Sequence, residues 1–237
     1  MTFQLQIQMN EKLFLRDPAG SELGKRIIGQ GAIMLEKMGL EDFTFKKLAA
    51  ELGTNESSIY RYFENKHRLL LYLVGWYWRW MEYQIMVNTA SKNDARSKID
   101  VILRILLHQQ EGDVLGEPGF DKKVLRNLIT KENAKSYLTN HVTQDNQQLF
   151  FKPYKDVCAR IAAVFSEINP KFPYCRSLTS TILEMAHHQH FFMHNLPSLT
   201  DFGQTKDEKE IFNFLKNLIY GSLQFKPVSN GVLHAQN

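Results

Sequence analysis

The stretch from Thr44 to Leu71 constrains the fold more than any other part of the chain. Thr44 can cap a helix whose apolar positions recur at helical spacing as far as Leu52, and Gly53 follows the last of them. A glycine at that place accepts the left-handed backbone that ends a helix. The side-chain oxygens from Thr54 to Ser58 suit the start of another helix. The sequence therefore predicts a helix, a tight turn, a short second helix and then a third helix.

Two helices joined by a glycine-containing turn form the unit that places its second helix in the major groove of DNA. Roughly residues 25–72 resemble the DNA-binding domain of the TetR family of transcriptional repressors. The residues that carry the resemblance, in the order and spacing of the family, are Gly39, Thr44, Leu48, Ala49, Gly53, Tyr60, Arg61, Phe63, Lys66 and Leu69. Gly31, Thr54 and Asn55 depart from the residues usual at their positions. The resemblance implies a dimeric repressor that binds a palindromic operator.

Candidate DNA-contacting residues lie around the predicted second helix. Side chains at the N-terminal end of such a helix reach base edges, and Tyr60 and Lys66 match family positions that bind phosphate. Glu56 either accepts from a cytosine amino group or faces solvent and favours the helix dipole. The predicted site consists of Thr44, Asn55, Glu56, Ser57, Ser58, Tyr60, Arg61 and Lys66.

Composition limits how much of the surface can bind nucleic acid. The chain has 237 residues, of which 43% are hydrophobic, which is enough for two modest globular domains. Its formal net charge of +4 is only mildly basic, so a DNA site should be local. No signal peptide, membrane-length apolar run or metal-type cysteine spacing is present, and Cys158 and Cys175 are interpreted as free thiols. We expect a cytoplasmic protein that is not an enzyme and needs no cofactor.

The order of the predicted elements favours an all-α fold. Strands do not alternate with helices, so the part of the chain after the helix-turn-helix should be a helical bundle. The predicted helices are Ser21–Met38, Lys66–Asn88, Ala95–Gln110, Asp121–Leu138, Pro153–Ile168, Tyr174–Asn195 and Glu208–Leu223, besides the two short ones. By resemblance, helices 174–195 and 208–223 form the homodimer interface. We expect the helix that begins at Lys66 to belong to both domains and to carry the regulatory signal.

We divide the chain into four parts on this basis. They are an N-terminal arm over residues 1–20, a helix-turn-helix domain over 21–72, a helical regulatory and dimerisation domain over 73–225 and a flexible tail over 226–237. In the arm, Phe3, Leu5, Ile7 and Met9 alternate with glutamines, which is a strand pattern. Either a short strand pairs with its copy in a second subunit, or a flexible arm orders on contact with DNA or a partner.

A group of titratable side chains stands out on the Tyr174–Asn195 helix. Its members, with Glu-x-x-His spacing among them, are Glu184, His187, His188, His190 and His194. Such spacing can bind zinc or iron, which would suit a metal-dependent oxidoreductase or metal sensor, but a di-iron centre would need a second such pair on a facing helix. We favour histidines that line a dimer contact or an effector pocket and expect no metal. Candidate ligand-binding residues for an unidentified, apolar or aromatic effector are Trp76, Trp80, His187, His190, Phe191 and His194. A bundle that serves only protein interaction remains a further alternative.

Overall fold

The computed structural model describes residues 7–109 and 121–224, and within them every regular element is helical. The α-helices are α1 (Glu22–Asp42), α2 (Phe45–Leu52), α3 (Glu56–Tyr60), α4 (Lys66–Thr89), α5 (Ala95–Leu106), α6 (Lys122–Tyr137), α7 (Val142–Gln147), α8 (Lys152–Ile168), α9 (Cys175–Asn195) and α10 (Glu208–Leu223). Short 3₁₀ turns occupy Glu11–Leu13 and Pro197–Leu199. The predicted all-α fold is confirmed.

The helix boundaries agree closely with the predicted ones, with two differences. Helix α5 already ends at Leu106, because Leu107 and the left-handed His108, with φ of 55°, turn the chain. Helix α7 was not predicted, since its six residues, VTQDNQ, lack an apolar repeat and its start has no side-chain cap. The expected tail over 226–237 lies outside the described residues.

The N-terminal arm packs against the helical body, which consists of α4 to α10, and its described residues are not extended as a strand. Phe3 and Leu5 lie outside the described residues, and Ile7 to Met9 form no regular structure. Asn10 donates from Nδ2 to the carbonyl oxygen of Gln148 at 2.8 Å, and Leu13 is 2% exposed. Within this chain residues 7–9 form no strand, because the side chains of Ile7 and Met9 pack against the core of the same chain. Pairing of the arm with a second subunit stays a prediction.

Helix α1 is kinked at Gly39, where the sequence predicted its end, and continues to Asp42. Gly39 has φ of 76°, a backbone conformation that glycine adopts without strain, and it separates the straight helix from a last turn that leads to Phe43. Ile27 and Leu35 are fully buried on the inner face of α1. This face packs against α4 and α6, so one helix of the N-terminal domain contacts the helical body directly.

Helix α4 is the central element of the molecule. It contacts α1, α5, α6 and α8, and apolar and aromatic side chains from Leu69 to Trp78 are buried on all its sides. A helix that is apolar all round is stable only when neighbours cover it completely. None of the described helices combines the length and the apolar character that a membrane span requires. Cys158 and Cys175 are free thiols, as the sequence predicted.

Candidate functional site

The helix-turn-helix is shaped by caps that each helix makes with its own residues. Thr44 accepts from the backbone N–H of Lys47 through Oγ1 at 3.2 Å and starts α2. Gly53 ends α2 with φ of 63°, and the oxygen of Asn55 accepts from the N–H of Ser58 at 2.8 Å and starts α3. Both caps and the turn are thus set by local sequence, as predicted.

Long-range contacts then fix this unit to the rest of the N-terminal domain. Arg26 on α1 donates from Nη2 to the carbonyl oxygen of Leu52 at 2.8 Å and satisfies the C-terminal end of α2. Ser21 Oγ and Tyr62 Oη are 2.8 Å apart, and the N–H of Leu15 donates to the carbonyl oxygen of Tyr62 at 2.8 Å. The turn after α3 is therefore held by both α1 and the arm.

One face of α3 remains open. Ser57 and Arg61 are exposed, and so is Tyr60, whose ring packs edge-on against Phe45 with centroids 5.1 Å apart. Glu56 is only half-exposed and opens the first turn of α3. The phenol of Tyr60 is thereby held at the groove between α2 and α3, with its ring supported and its hydroxyl free to donate.

Asn55 and Ser58 have a structural role that sequence reasoning did not assign in full. Asn55 Oδ1 accepts from both the N–H and the Oγ of Ser58, the second at 2.9 Å. The amide nitrogen of Asn55 has no hydrogen bond within the described part of the chain. Of the side chains of Asn55 and Ser58, only the amide nitrogen of Asn55 is left to donate a hydrogen bond to a base without loss of the cap.

Lys66 is engaged in the protein, whereas the sequence predicted a phosphate contact. Its Nζ donates to the carbonyl oxygens of Leu40, Glu41 and Phe43 at 2.7, 2.9 and 3.1 Å. An ammonium group has three donors, so all of them are used to close the turn between α1 and α2. The phosphate contact of Lys66 stays a prediction and would require at least one of these bonds to open.

The same turn is held from the opposite side by a residue that the sequence did not reveal. Glu132 on α6 is 5% exposed and accepts from the backbone N–H of Leu40 through Oε2 at 3.2 Å. Lys135 pairs with the same carboxylate at 3.2 Å. Since an isolated charge is costly to bury, this pairing explains how the carboxylate is tolerated. Glu132 and Lys66 therefore connect α6 and α4 to one turn of the DNA-binding unit.

A second connection joins the first turn of α4 to α7. Asp145 is 3% exposed, and its carboxylate lies 3.2 Å from His67 Nε2 and 3.4 Å from Arg68 Nη1. Arg68 also covers the ring of Phe150 at 4.4 Å from its centroid. The only sequence signal was an acid among polar residues, which is ordinarily a solvated surface, so this link could not be predicted.

The helical body contains a buried chain of hydrogen-bonding rings. Tyr77 Oη is 3.2 Å from His187 Nε2 and 3.2 Å from His108 Nε2. A phenol oxygen can donate one hydrogen bond and accept others, so Tyr77 can bridge both imidazoles, and the tautomer of each ring sets the direction of its bond. Burial lowers the pKa of His187 to about 4, holds the pKa of His108 well below its usual range and raises the pKa of the Tyr77 hydroxyl, so all three rings are neutral.

The predicted ligand-binding residues are only partly brought together. Trp80 stacks on His108 with ring centroids 6.0 Å apart, next to the ring chain, and Trp76 is buried on the same helix. His190 instead contacts Glu208 at 3.3 Å, and burial lowers its pKa to about 4. His194 is exposed and lies edge-on to His190, while Phe191 packs beside Phe192. The six residues thus extend from the buried side chains of α4 to the exposed surface of α9.

The metal hypothesis is not supported by the arrangement of the Glu184 and histidine group. Glu184 bonds tyrosines of α6 and α8, His187 bonds Tyr77, and His188 is exposed and stacks on Phe192. Within residues 7–109 and 121–224, no three histidine, cysteine or acidic side chains converge as metal ligands would. One helix distributes these side chains around its circumference, so their sequence proximity is not spatial convergence.

Comparisons with known proteins give the same assignment. Residues 27–73 match the tetR family of bacterial regulatory proteins. The fold is similar to that of the fatty acid degradation regulator FadR from Bacillus halodurans, with 13% identity, a TM-score of 0.56 and coverage of 88% of this chain and 96% of that one. It is also similar to a TetR-family transcriptional regulator from Streptomyces coelicolor, with 13% identity, a TM-score of 0.55 and coverage of 86% and 89%. Curated protein sequences give no match.

The family match covers the segment in which the caps, the turn and the exposed face of α3 were found. The structural likeness extends over most of the chain and concerns the fold, since identity is low. The chain therefore carries a TetR-family helix-turn-helix domain, joined to a helical body with the fold of transcriptional regulators of that family.

Proposed function

We propose that this chain is a transcriptional repressor that binds a palindromic DNA operator as a homodimer and is released by a small-molecule effector. The observation that carries the proposal is the exposed face of α3, held by its own caps and braced by Arg26 and Tyr62. A rigid short helix with free polar side chains is what major-groove recognition requires.

Contacts to DNA divide between phosphate and bases. Tyr60 is positioned to donate to a backbone phosphate, and Arg61 and the exposed Lys46 add positive charge beside it. Ser57 is exposed at the N-terminal turn of α3 and can reach a base edge. Tyr60→Ala should therefore weaken binding to all sequences, whereas Ser57→Ala should change the preferred sequence.

Selection of bound duplexes from a random pool tests the proposal directly. We expect enrichment of an inverted repeat whose half-sites are about one helical turn apart, because two recognition helices must meet successive major grooves. Leu138→Ala and Ser91→Ala, exposed changes in the helical body, serve as controls. Absence of any enriched repeat, or equal effects of the Tyr60 and Leu138 changes, would contradict the repressor assignment.

The proposed dimer interface is formed by α9 and α10. Phe214 and Leu218 are only half-buried on α10, and a methyl group at Gly221 would meet no atom within 4 Å. A glycine inside a helix costs about 1 kcal/mol relative to alanine, and no contact among the described residues of the protomer accounts for Gly221. Close approach of a second α10 would account for both the glycine and the half-exposed apolar side chains.

Analytical ultracentrifugation of Leu218→Glu tests the dimer. A charge placed at an apolar dimer contact should convert the protein to a monomer and abolish operator binding at the same protein concentration. The matched change is Asn213→Glu, at an exposed position of the same helix. A Leu218→Glu protein that remains dimeric would remove α10 from the interface.

The effector response rests on elements that contact both domains. An effector can drive release only by binding one arrangement of the two helix-turn-helix domains better than the other. Trp76, Trp80, His187, His190, Phe191 and His194 remain the candidate residues of an effector pocket. Glu132 and Asp145, through Leu40 and Arg68, provide the links by which a change in the body would reach α1 and α4.

A further inference from the structure

A cavity of about 240 Å³ lies between the N-terminal arm and the helical body. Because a water molecule in the liquid takes up about 30 Å³, this space holds about eight waters or one small organic molecule. None of the six candidate effector residues lines it, so the cavity is separate from the ring chain and from α9. The lining residues are Gln8, Met9, Asn10 and Leu13 of the arm, Arg79 of α4, and Leu149, Phe150, Lys152 and Pro153 from the segment that leads from α7 into α8.

The lining is mainly apolar, and both of its charged residues are cations. Leu13 and Phe150 are buried, with 2% and 3% of their surfaces exposed, and contribute apolar surface. Arg79 is half-buried and Lys152 is exposed, whereas the lining contains no acidic side chain. A cavity of this kind favours a molecule that combines an apolar body with a negative charge.

Positive charge exceeds negative charge beside this cavity. The cations Arg79, Lys152 and Arg160 share two carboxylates, those of Glu82 and Asp156, and no other acid of the described ranges pairs with them. Burial would raise the pKa of Asp156, but the hydrogen bonds from Lys152 and Arg79 outweigh burial and lower this pKa, so Asp156 is ionised. One positive charge of this group is therefore left for an anion from outside the chain.

Arg79 has hydrogen-bond donors that its protein partners do not use. Its Nη1 donates to Glu82 Oε2 at 2.9 Å and to Asp156 Oδ2 at 2.8 Å. Its Nε and Nη2 donate to no acceptor within residues 7–109 and 121–224. The N–H groups of a guanidinium lie in one plane and match the two oxygens of a carboxylate. Arg79 can therefore bind the carboxylate of a ligand and keep both of its ion pairs.

The arm connects the cavity with the turn after α3. Met9 packs against the backbone of α4 at Gly75, where a Cβ atom would come within 3.1 Å of the Met9 Cε. Further along the arm, the N–H of Leu15 donates to the carbonyl oxygen of Tyr62 at 2.8 Å, and the guanidinium of Arg16 covers the Tyr62 ring at 5.4 Å from its centroid. A displacement of the arm at the cavity would therefore reach the segment that follows α3.

We propose that the cavity under the arm binds a small carboxylate with an apolar or aromatic body of about eight to ten non-hydrogen atoms, and that this ligand changes operator affinity through the arm. The carboxylate would pair with Arg79 and Lys152, and the body would lie against Leu13 and Phe150. The second part of the inference rests on the proposed function. A ligand that binds better to a displaced arm would shift Leu15 and, with it, the turn after α3.

Calorimetric titration of the full chain with three probes of the same shape tests the site. The probes are benzoate, the uncharged benzamide and the cationic benzamidinium, which differ mainly in charge. We expect benzoate to bind at least tenfold more tightly than benzamide and benzamidinium to bind most weakly. Comparable affinities for benzoate and benzamide, or no binding of benzoate, would overturn the proposal.

Variants of the cations locate the charge. Arg79→Gln should weaken benzoate binding at least tenfold, and it leaves Glu82 paired with Arg160 and Asp156 paired with Lys152. Arg79→Lys keeps the charge and should retain the preference for benzoate over benzamide. The matched control is Arg160→Gln, which also removes an ion pair with Glu82 but does not line the cavity. Unchanged benzoate affinity in Arg79→Gln would overturn the assignment.

A steric variant separates binding in the cavity from a general effect of charge. Leu149 lines the cavity and is 59% exposed, so Leu149→Trp should fill part of the space and weaken benzoate binding in a protein that retains Arg79. Leu138→Trp, at an exposed position outside the lining, is the control. Thermal unfolding reports whether each variant is folded. Equal benzoate affinity in the two tryptophan variants would place the ligand elsewhere and overturn the proposal.

Operator binding with and without benzoate tests the connection through the arm. A saturating concentration of benzoate should change the operator affinity of the unchanged protein at least tenfold and have no such effect on Arg79→Gln. Benzoate binding without a change in operator affinity would overturn the second part of the proposal. A chain that enriches no duplex from the random pool would contradict the proposed function alone, because the titration reports the cavity in the absence of DNA.

Discussion

The two regions of the molecule differ in how consistently side chains cap the starts of their helices. In the N-terminal domain every α-helix start, and the start of α4, is capped by a side chain that accepts from the N–H three residues later: Ser21, Thr44, Asn55 and Asn65. In the helical body an aspartate caps α5, α6 and α10, whereas α7, α8 and α9 begin without a side-chain cap. These helices are positioned instead by bonds between distant residues, such as Tyr77 with His187, 110 positions apart.

The difference shows which contacts define the helices of each region. The helices of the DNA-binding unit begin and end at residues close to them in sequence, so their boundaries depend little on contacts with the helical body. The body is specified by side chains that meet only after folding, and several of these are polar groups that must remain neutral or paired. A region of this second kind can change its arrangement when a ligand or a proton changes one of the pairs.

Low pH should give the largest effect, because it should lower the stability of the helical body before that of the N-terminal domain. Burial lowers the pKa of His187 and of His190 to about 4, below the ordinary value of 6.5. The unfolded chain then binds more protons than the folded chain, so stability is complete above about pH 6.5 and is lost as the pH falls toward 4. His187 alone should contribute a loss of about 3 kcal/mol by pH 4. Urea unfolding between pH 4 and 7.5 measures this loss of stability.

His187→Gln tests the assignment of that pH dependence. The amide can accept from Tyr77 without titrating, so the slope of stability against pH should decrease. His188→Gln, at the exposed neighbouring position, should leave the slope unchanged. Equal slopes for both variants and the unchanged protein would rule out His187 as the acid-sensitive group.

Tyr77→Phe should give the next largest loss in the free energy of unfolding. The change removes one hydroxyl and leaves the Nε2 atoms of two buried histidines without a partner, which should cost about 2–4 kcal/mol. Tyr83→Phe, on the half-exposed side of the same helix, is the matched control. A loss no greater than that of the control would show that the ring chain has little energetic weight.

Lys66→Met should distinguish a clamp from a phosphate contact. Loss of three donor bonds to the turn after α1 should lower stability by about 1–3 kcal/mol. A pure phosphate ligand would instead leave unfolding unchanged and lower the salt dependence of DNA binding by about one ion. Thermal unfolding and a salt titration of binding decide between these results, with Lys92→Met, at an exposed position of the helical body, as control.

Thr44→Ala should give the smallest effect, confined to the capped region. The cap of α2 contributes about 1 kcal/mol, and Thr44→Ser should retain most of it because the hydroxyl stays. Hydrogen exchange of the backbone amides should become faster in α2 and should stay unchanged in α9. Equal protection losses in both helices would contradict the local character of the N-terminal domain.

Sequence reasoning succeeded where the determinants are close together in the chain. Thr44 and Gly53 marked the ends of α2 correctly, and Gly39 marked the kink of α1 three residues before its end, since capping and left-handed backbone depend on one or two residues. Sequence reasoning failed for α7 and for the partners of Glu132 and Asp145, because each of these depends on what lies opposite in space. The group from Glu184 to His194 suggested a shared metal site, whereas the helix directs its members to different neighbours.

The sequence by itself determined the all-helical architecture and the helix-turn-helix, because helical periodicity, caps and glycines act over a few residues. The family of the helix-turn-helix domain followed from a resemblance at individual residues of this segment. Only the tertiary structure decided which polar groups of the body are paired. It placed Tyr77 between two histidines, closed Lys66 onto three carbonyl oxygens and left Glu184 among neutral donors. Burial and pairing depend on the neighbours that folding brings together, and those neighbours are tens of residues away in the chain.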